Sequence, residues 1–547
     1  MRRRVSDVVR KAVRGALKFF PLMNGSYWGR TQDLRVGVTS IPLSANEPQF
    51  VTEHPLTDLR SRTVSNGLLV MMAQAAEFAL TLGATMVLVR LLEPGDFGLV
   101  AMVTALTGIL RIIPDAGLST ATIQREDITH AQVSNLFWTN VALSGFASIA
   151  IAACAPGIAW FYGEPRLVGI TLALSVTFLL SGLAVQHLAL LNRQMRFKTI
   201  SLIRVGGVAS GVLVGIGMAW LKCGYWSLVG SQLSMPLASF LLTWRASRWR
   251  PQGPIRRSNT WPLLGFGANV TASGFIYSLA RAADRLLIGK WYGSVSLGLY
   301  SRASALFIGP VELLMFPISA VFVPVLSRLQ AQPERYRRAF LQVHDAIALT
   351  GFISSGLFLP LARPLTLVVL GPQWEQAAVI VAGFTIAFIF IPLCSASSWL
   401  LTSQGRGTDS LRGSSICSII TVASFVVGLP FGPAGVAILY SASGVLILLP
   451  YGYYLAGRQG PVRTVDLWVG LLPHIPLLGV VSGATYLMRS LVAESGPLAQ
   501  LLICVPFGLL AAVVFVALFA PTRRTATNLL DTLAAIQKVA TSSARIS

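Results

Sequence analysis

The stretch RAADRLLIGKWYG, residues 281–293, sets Arg281, Asp284, Arg285 and Lys290 inside an otherwise apolar sequence. Arg281 and Arg285 are four residues apart, so on a helix they share a face. A guanidinium is a planar fork that grips an oxyanion through two parallel hydrogen bonds, which makes the pair a candidate anion site. Asp284 has two readings. It locks the helix as the i,i+3 partner of Arg281, or it is a buried acid whose charge state changes. It neutralises one arginine at most, so a second cation is left over. Arg302, Arg204 and Arg111 also lie away from the inner cationic loops, whereas Arg90 and Lys290 read as snorkelling anchors. Four carboxylates look embedded or nearly so: Glu77, Asp284, Glu312 and Asp345. Glu77 and Glu312 fall near mid-depth of their runs. Each is either a coupling site for H⁺ or Na⁺ or the ion-pair partner of an arginine. His187 and His344 read as interfacial residues near inner helix ends.

The elements that carry these charges follow from composition. Of 547 residues, 54% are hydrophobic and 12% charged, and the mean hydropathy is +0.67. A soluble domain with so few charges lacks a polar surface, so the chain reads as an all-α polytopic membrane protein. A bilayer core takes about 20 apolar residues per helix. About fourteen such runs are legible, from 66–90 and 96–114 through 261–290, 296–327 and 337–370 to 466–491 and 498–520. The net charge of +22 fits cationic loops on one side of a membrane better than nucleic-acid binding, because no soluble fold surrounds a basic patch.

Loop charge alternates along the chain. One set holds Arg193, Arg196 and Lys198, then Arg245, Arg248 and Arg250, then Arg328, Arg335, Arg337 and Arg338, then Arg406 and Arg412, then Arg458 and Arg463. The opposite set holds only scattered cations, such as Arg166, Lys222 and Arg489. By the positive-inside rule both termini are cytoplasmic. The outer loops are too short to hold the catalytic site of a membrane glycosyltransferase or polymerase, and no loop carries a paired-carboxylate motif. The five cysteines and five histidines show neither CxxC nor metal-ligand spacing, so no metal or other cofactor is expected beyond a coupling ion.

Residues 1–63 differ in kind. MRRRVSDVVRKAVRGALKFF is basic and amphipathic but lacks the apolar core of a signal peptide. It reads as a cytoplasmic extension, a membrane-surface helix, or the product of a start assigned too early. The remaining organisation is a first lobe over 64–250, a second over 251–460, two further helices over 461–521 and a cytoplasmic tail over 522–547. The lobes rest on two echoes. RLLEPGDFGLV (90–100) matches IGKWYGSVSLGLY (288–300), with Gly98-Leu99 aligned on Gly298-Leu299. GYWSLVG (224–230) matches GPAGVAI (432–438). Two six-helix bundles repeated in the same order suit an alternating-access transporter.

Four stretches together resemble the polysaccharide flippases of Wzx type, in the superfamily that also holds multidrug exporters and lipid II flippases. They are LVRLLEPGDFGLVAM (88–102), DAGLSTATIQREDIT (115–129) with SNLFWTN (134–140), LLNRQMRFKTI (190–200) and ADRLLIGKWYGSVSLGLYSRA (283–303). The resemblance covers about residues 64–458. It implies flipping of an undecaprenyl-diphosphate-linked oligosaccharide across a bacterial inner membrane for O-antigen, capsule or exopolysaccharide assembly. The implied partners are that cargo, membrane lipids and polysaccharide polymerase or assembly proteins. A diphosphate leaving water needs cationic compensation, so Arg281, Arg285, Arg302 and Arg204 become its candidate ligands. Glu77, Glu312 and Asp284 become candidate coupling acids. IPLCSASSWL and ILLPYGYY suggest either helix bends lining a sugar wall or ordinary packing by small residues. Two rivals remain: an ion-coupled small-molecule exporter of the same superfamily, and a membrane glycosyltransferase or polymerase.

Overall fold

The computed structural model describes residues 56–110, 118–124, 128–253 and 261–529. Most of the basic N-terminal extension, Arg111 and the end of the C-terminal tail lie outside these residues. Among the described residues the chain is helical throughout, with no strand. The first half comprises α1 (Leu56–Leu91), α2 (Pro94–Leu110), α3 (Leu118–Gln124), α4 (His130–Tyr162), α5 (Leu167–Arg193), α6 (Phe197–Trp220) and α7 (Trp226–Ser247). The second half comprises α8 (Trp261–Leu329), α9 (Pro333–Val369), α10 (Ala377–Phe384), α11 (Ala387–Ser403), α12 (Gly407–Gly428), α13 (Gly432–Ser443) and α14 (Leu449–Gly457). Then come α15 (Thr464–Leu471), α16 (Ile475–Leu491) and α17 (Pro497–Leu518).

Ten helical segments among the described residues are long and apolar enough to cross a membrane. Helix is the form expected for such runs, because it satisfies every backbone group where no water is available. Two segments, 52 and 51 residues long, each have the length of two crossings. The first of them breaks at Gly293 (φ 76°, ψ −173°), so α8 has two arms, 261–292 and 294–329. That positive φ is the reason a glycine stands there. Large apolar side chains such as Trp160, Leu213 and Leu518 point outward and are more than 70% exposed. So much outward apolar surface matches lipid, not water, as the surrounding solvent.

Helix ends follow local chemistry. Thr129 opens α4 with a capping box closed by Gln132, and Gly163 (φ 72°) ends it in the left-handed conformation. One helix-capping device occurs twice. In Gln194-Met195-Arg196 and Gln404-Gly405-Arg406 the middle residue is left-handed, at φ 52° and 70°. Each arginine then donates across to a later helix end: Arg196 to the Ala246 carbonyl at 3.1 Å and Arg406 to the Ala456 carbonyl at 3.0 Å. The same Gln-x-Arg pattern thus makes the same kind of bond in both halves of the chain.

The halves meet where α2 packs against α8, the most extensive helix pairing among the described residues. A β-carbon on Gly98 would lie 1.7 Å from the Ser294 carbonyl oxygen, and one on Gly298 would lie 1.8 Å from that of Pro94. Each glycine therefore abuts the residue four before the other. This reciprocal contact is the signature of local two-fold symmetry. Around it one apolar core joins Val89, Phe97, Met102, Ile288, Leu297, Trp374 and Phe384. A second core lies within the C-terminal half and includes Tyr336, Phe340, Tyr453, Leu477 and Cys504.

Candidate functional site

Both arms of α8, with α11, α12, α13 and α14, enclose a cavity of about 670 Å³. Arg281, Asp284, Arg285 and Glu312 line it, with Tyr300, Tyr440 and Tyr451 and a bank of serines on α11 and α12. The four charged groups come from one long helix because the break at Gly293 brings its two arms together.

One sequence reading made Asp284 the i,i+3 partner of Arg281. Instead, Arg281 pairs with Glu312 of the opposite arm at 2.6 Å, with both side chains about half exposed. Asp284 is buried and turns to other donors: the Tyr300 hydroxyl at 3.0 Å and the Arg285 backbone N–H at 2.7 Å. Arg204 pairs with Glu77 at 3.2 Å. Both mid-depth glutamates are thus held by arginines, one in each half.

Arg285 and Arg302 differ from these. Neither forms an ion pair among the described residues, and the Nε of each is buried without a hydrogen-bond acceptor. Their charges act on each other. The Arg302 guanidinium lies 4.9 Å from the ring centroid of Phe97, across the seam on α2. A ring face offsets part of a cation's charge but accepts no directed ion pair. Two guanidiniums with unused donors, one lining the cavity and one at the seam, have the chemistry to hold an anion.

The expected anchors do more than snorkel. Lys290 donates to the Phe161 carbonyl and stands 5.0 Å from the centroid of that residue's ring. Arg90 donates to the Val368 carbonyl at 3.1 Å. Trp374 donates to Val89 at 2.8 Å, and Gln373 donates to both Val89 and Leu92. These contacts tie the end of α1 to the end of α9 and to the segment that follows it. The two histidines read as interfacial are both enclosed by protein. His187 is fully buried among Phe137, Trp244 and Trp249. His344 is also buried, 2.6 Å from the Tyr453 hydroxyl and 3.3 Å from Asp345.

Comparison with known proteins shows the family and the fold. Residues 87–379, more than half of the chain, match the family described as "Polysaccharide biosynthesis protein". The chain belongs to that family. Among polysaccharide biosynthesis proteins, teichuronic acid biosynthesis protein TuaB of Bacillus subtilis (strain 168) is 26% identical over 303 residues. That match spans 55% of this chain and 62% of TuaB. Lipopolysaccharide biosynthesis protein WzxC of Escherichia coli (strain K12) is 22% identical over 376 residues, spanning 68% of this chain and 76% of WzxC. In three dimensions the chain resembles lipid II flippase MurJ in an inward closed conformation, with a TM-score of 0.65 and 15% identity over 82% of this chain and 99% of MurJ. A multidrug resistance MATE family transporter in an inward-facing conformation follows, with a TM-score of 0.55 and 14% identity over 74% and 94% of the two chains. These likenesses define the fold. The family match ends within α10, so it includes both arms of α8 and the arginines on them.

Sequence reasoning passed over Tyr300 and Phe97, although both stand inside quoted motifs. Their signal was weak, since an aromatic residue in an apolar helix is ordinary core. Only folding puts Tyr300 on a buried carboxylate and Phe97 under a guanidinium.

Proposed function

We propose that this polysaccharide biosynthesis protein flips an oligosaccharide linked through a diphosphate to undecaprenol, by alternating access between two six-helix lobes. In this reading the chain crosses a bacterial inner membrane fourteen times with both termini cytoplasmic, and hands its cargo to polysaccharide assembly proteins. The observation that carries it is the pair Arg285 and Arg302, two guanidiniums with buried, unused donors beside the contact between the halves. Such a pair compensates a diphosphate that has left water. Arg281 and Arg204 are secondary, because Glu312 and Glu77 already offset their charge. The serine bank and tyrosines of the cavity supply hydroxyls for the sugar chain. Support also comes from the names of the relatives: WzxC acts in lipopolysaccharide biosynthesis, and MurJ is a lipid II flippase.

The test is reconstitution. Purified protein in liposomes loaded with undecaprenyl-diphosphate-linked oligosaccharide is expected to move the sugar to the other leaflet, read by its accessibility to a lectin. Flipping no faster than in protein-free liposomes overturns the proposal.

One observation favours a second reading, an ion-coupled exporter. The lining of the cavity is balanced in formal charge, two arginines against two carboxylates. The same carboxylates serve coupling in the first reading. Asp284 is the best placed of the three candidate acids, because it is buried and held by a neutral hydroxyl as well as by a backbone N–H. Asp284→Asn is expected to remove the stimulation of flipping by an imposed H⁺ or Na⁺ gradient while leaving cargo binding intact. Undiminished stimulation would take coupling away from this residue.

A further inference from the structure

A second cavity, of about 520 Å³, lies in the first half between α2, α5 and α7. Among the described residues no Asp, Glu, Lys, Arg or His lines it. Its polar groups are hydroxyls and one amide: Thr104, Thr107, Thr177, Ser181, Gln232 and Ser239. Four of the hydroxyls spend their single hydrogen on their own helix. Thr104 donates to the Val100 carbonyl at 2.9 Å, Thr107 to Val103 at 2.9 Å, Thr177 to Leu174 at 2.6 Å and Ser181 to Thr177 at 2.7 Å. A hydroxyl has one donor and two acceptor positions, so what these four oxygens still offer is acceptor capacity. Gln232 and Ser239 add free donors, since neither has a hydrogen-bond partner among the described residues. Pro236, which also lines the cavity, has no N–H to give the Gln232 carbonyl, so one more acceptor lacks its helical bond. Phe178 and Met235 complete the wall with apolar surface.

This lining matches one ligand chemistry. A neutral polyol brings many O–H donors and C–H faces, and it needs acceptors beside apolar walls. A charged group would be left without compensation there. The place is also right. Thr104 follows Phe97 by seven residues on α2, which puts it about 10 Å along the helix from the ring beneath Arg302. A sugar joined to a diphosphate at that arginine is within reach of the pocket.

We propose that this pocket is a sugar subsite, taking a neutral glycosyl residue of the cargo whose diphosphate is held by Arg285 and Arg302. It rests on the function proposed above. The two halves then divide the headgroup: charge at the second, neutral sugar in the first.

The experiment compares two probes on full-length protein in nanodiscs. One is undecaprenyl diphosphate alone. The other is the lipid-linked oligosaccharide extracted from host cells depleted of the protein. Thr107→Val and Thr177→Val remove an oxygen with little change of shape, and Gln232→Leu removes the amide. Each is expected to weaken binding of the glycosylated lipid by about three- to tenfold, the worth of one neutral hydrogen bond. Binding of the bare lipid is expected to stay at the wild-type level, which also reports that each variant is folded. Wild-type affinity for both probes in all three variants overturns the subsite. So does a loss of Na⁺-dependent binding without any loss of sugar affinity, which would make the oxygens an ion site. Failure of the flippase reading looks different: there Arg285→Gln and Arg302→Gln leave bare-lipid binding unchanged.

Discussion

Arg285→Gln and Arg302→Gln should each lower flipping of a diphosphate-linked cargo by about 10- to 100-fold, and the double variant should not flip it at all. The size follows from the bonds at stake. A hydrogen bond to a charged group contributes about 1.5–3 kcal/mol, and each guanidinium presents a fork of donors. Glutamine keeps much of the bulk and a polar end but gives up the charge and the fork. Arg302→Lys is expected to recover only part of the activity, because a point charge does not replace bidentate contact. Arg281→Gln should cost less than either, since Glu312 already takes up its charge at 2.6 Å. Rates come from the lectin-accessibility assay, with insertion checked by membrane fractionation. If the double variant flips cargo at the wild-type rate, the anion receptor is elsewhere.

That ranking reverses part of what the sequence suggests, and the reason is physical. A sequence reports which residues are three or four apart on one helix, so Arg281 with Asp284 and Arg281 with Arg285 were visible. It does not report which helices touch. The pairs Arg281–Glu312 and Arg204–Glu77 join different arms or helices, and they decide which cations remain free. The buried cages of His187 and His344 stayed hidden for the same reason. Element positions were legible where apolar runs end in glycine, proline or charge. The run expected over 498–520 is Pro497–Leu518, and the one over 66–90 lies within Leu56–Leu91. A stronger signal went unread. Gln-x-Arg recurs 210 residues apart, at Arg196 and Arg406, and in both places it folds into the same cap. In the sequence Gly98 and Gly298 mark an internal repeat; that the two glycines abut the neighbouring helix directly is visible only in the fold.

Those two glycines carry the other large prediction. Gly98→Leu and Gly298→Leu should each abolish flipping. The new β-carbon would fall within 2 Å of a carbonyl oxygen, that of Ser294 or of Pro94. Backbone cannot swing aside as a side chain does, so the helices must separate or the chain must distort. Overpacking of a tight contact costs about 1–3 kcal/mol, and more where backbone meets backbone. Even Gly98→Ala and Gly298→Ala should lower thermal stability, and by similar amounts, because the contact is reciprocal. Gly217 supplies the control. It also stands inside a helix, but nothing lies near the β-carbon position, so Gly217→Ala should be neutral or slightly stabilising. The contact suits a seam that opens and closes. Small residues let two helices approach closely in lipid, where no hydrophobic force drives them together, so what holds them is short-range packing that vanishes with a small displacement. Under alternating access this seam must part to release cargo, and the Arg302–Phe97 contact across it parts as well. Variants that keep the seam from closing should therefore bind cargo yet fail to carry it through a cycle. Wild-type flipping by both leucine variants would show that the seam takes no part in transport.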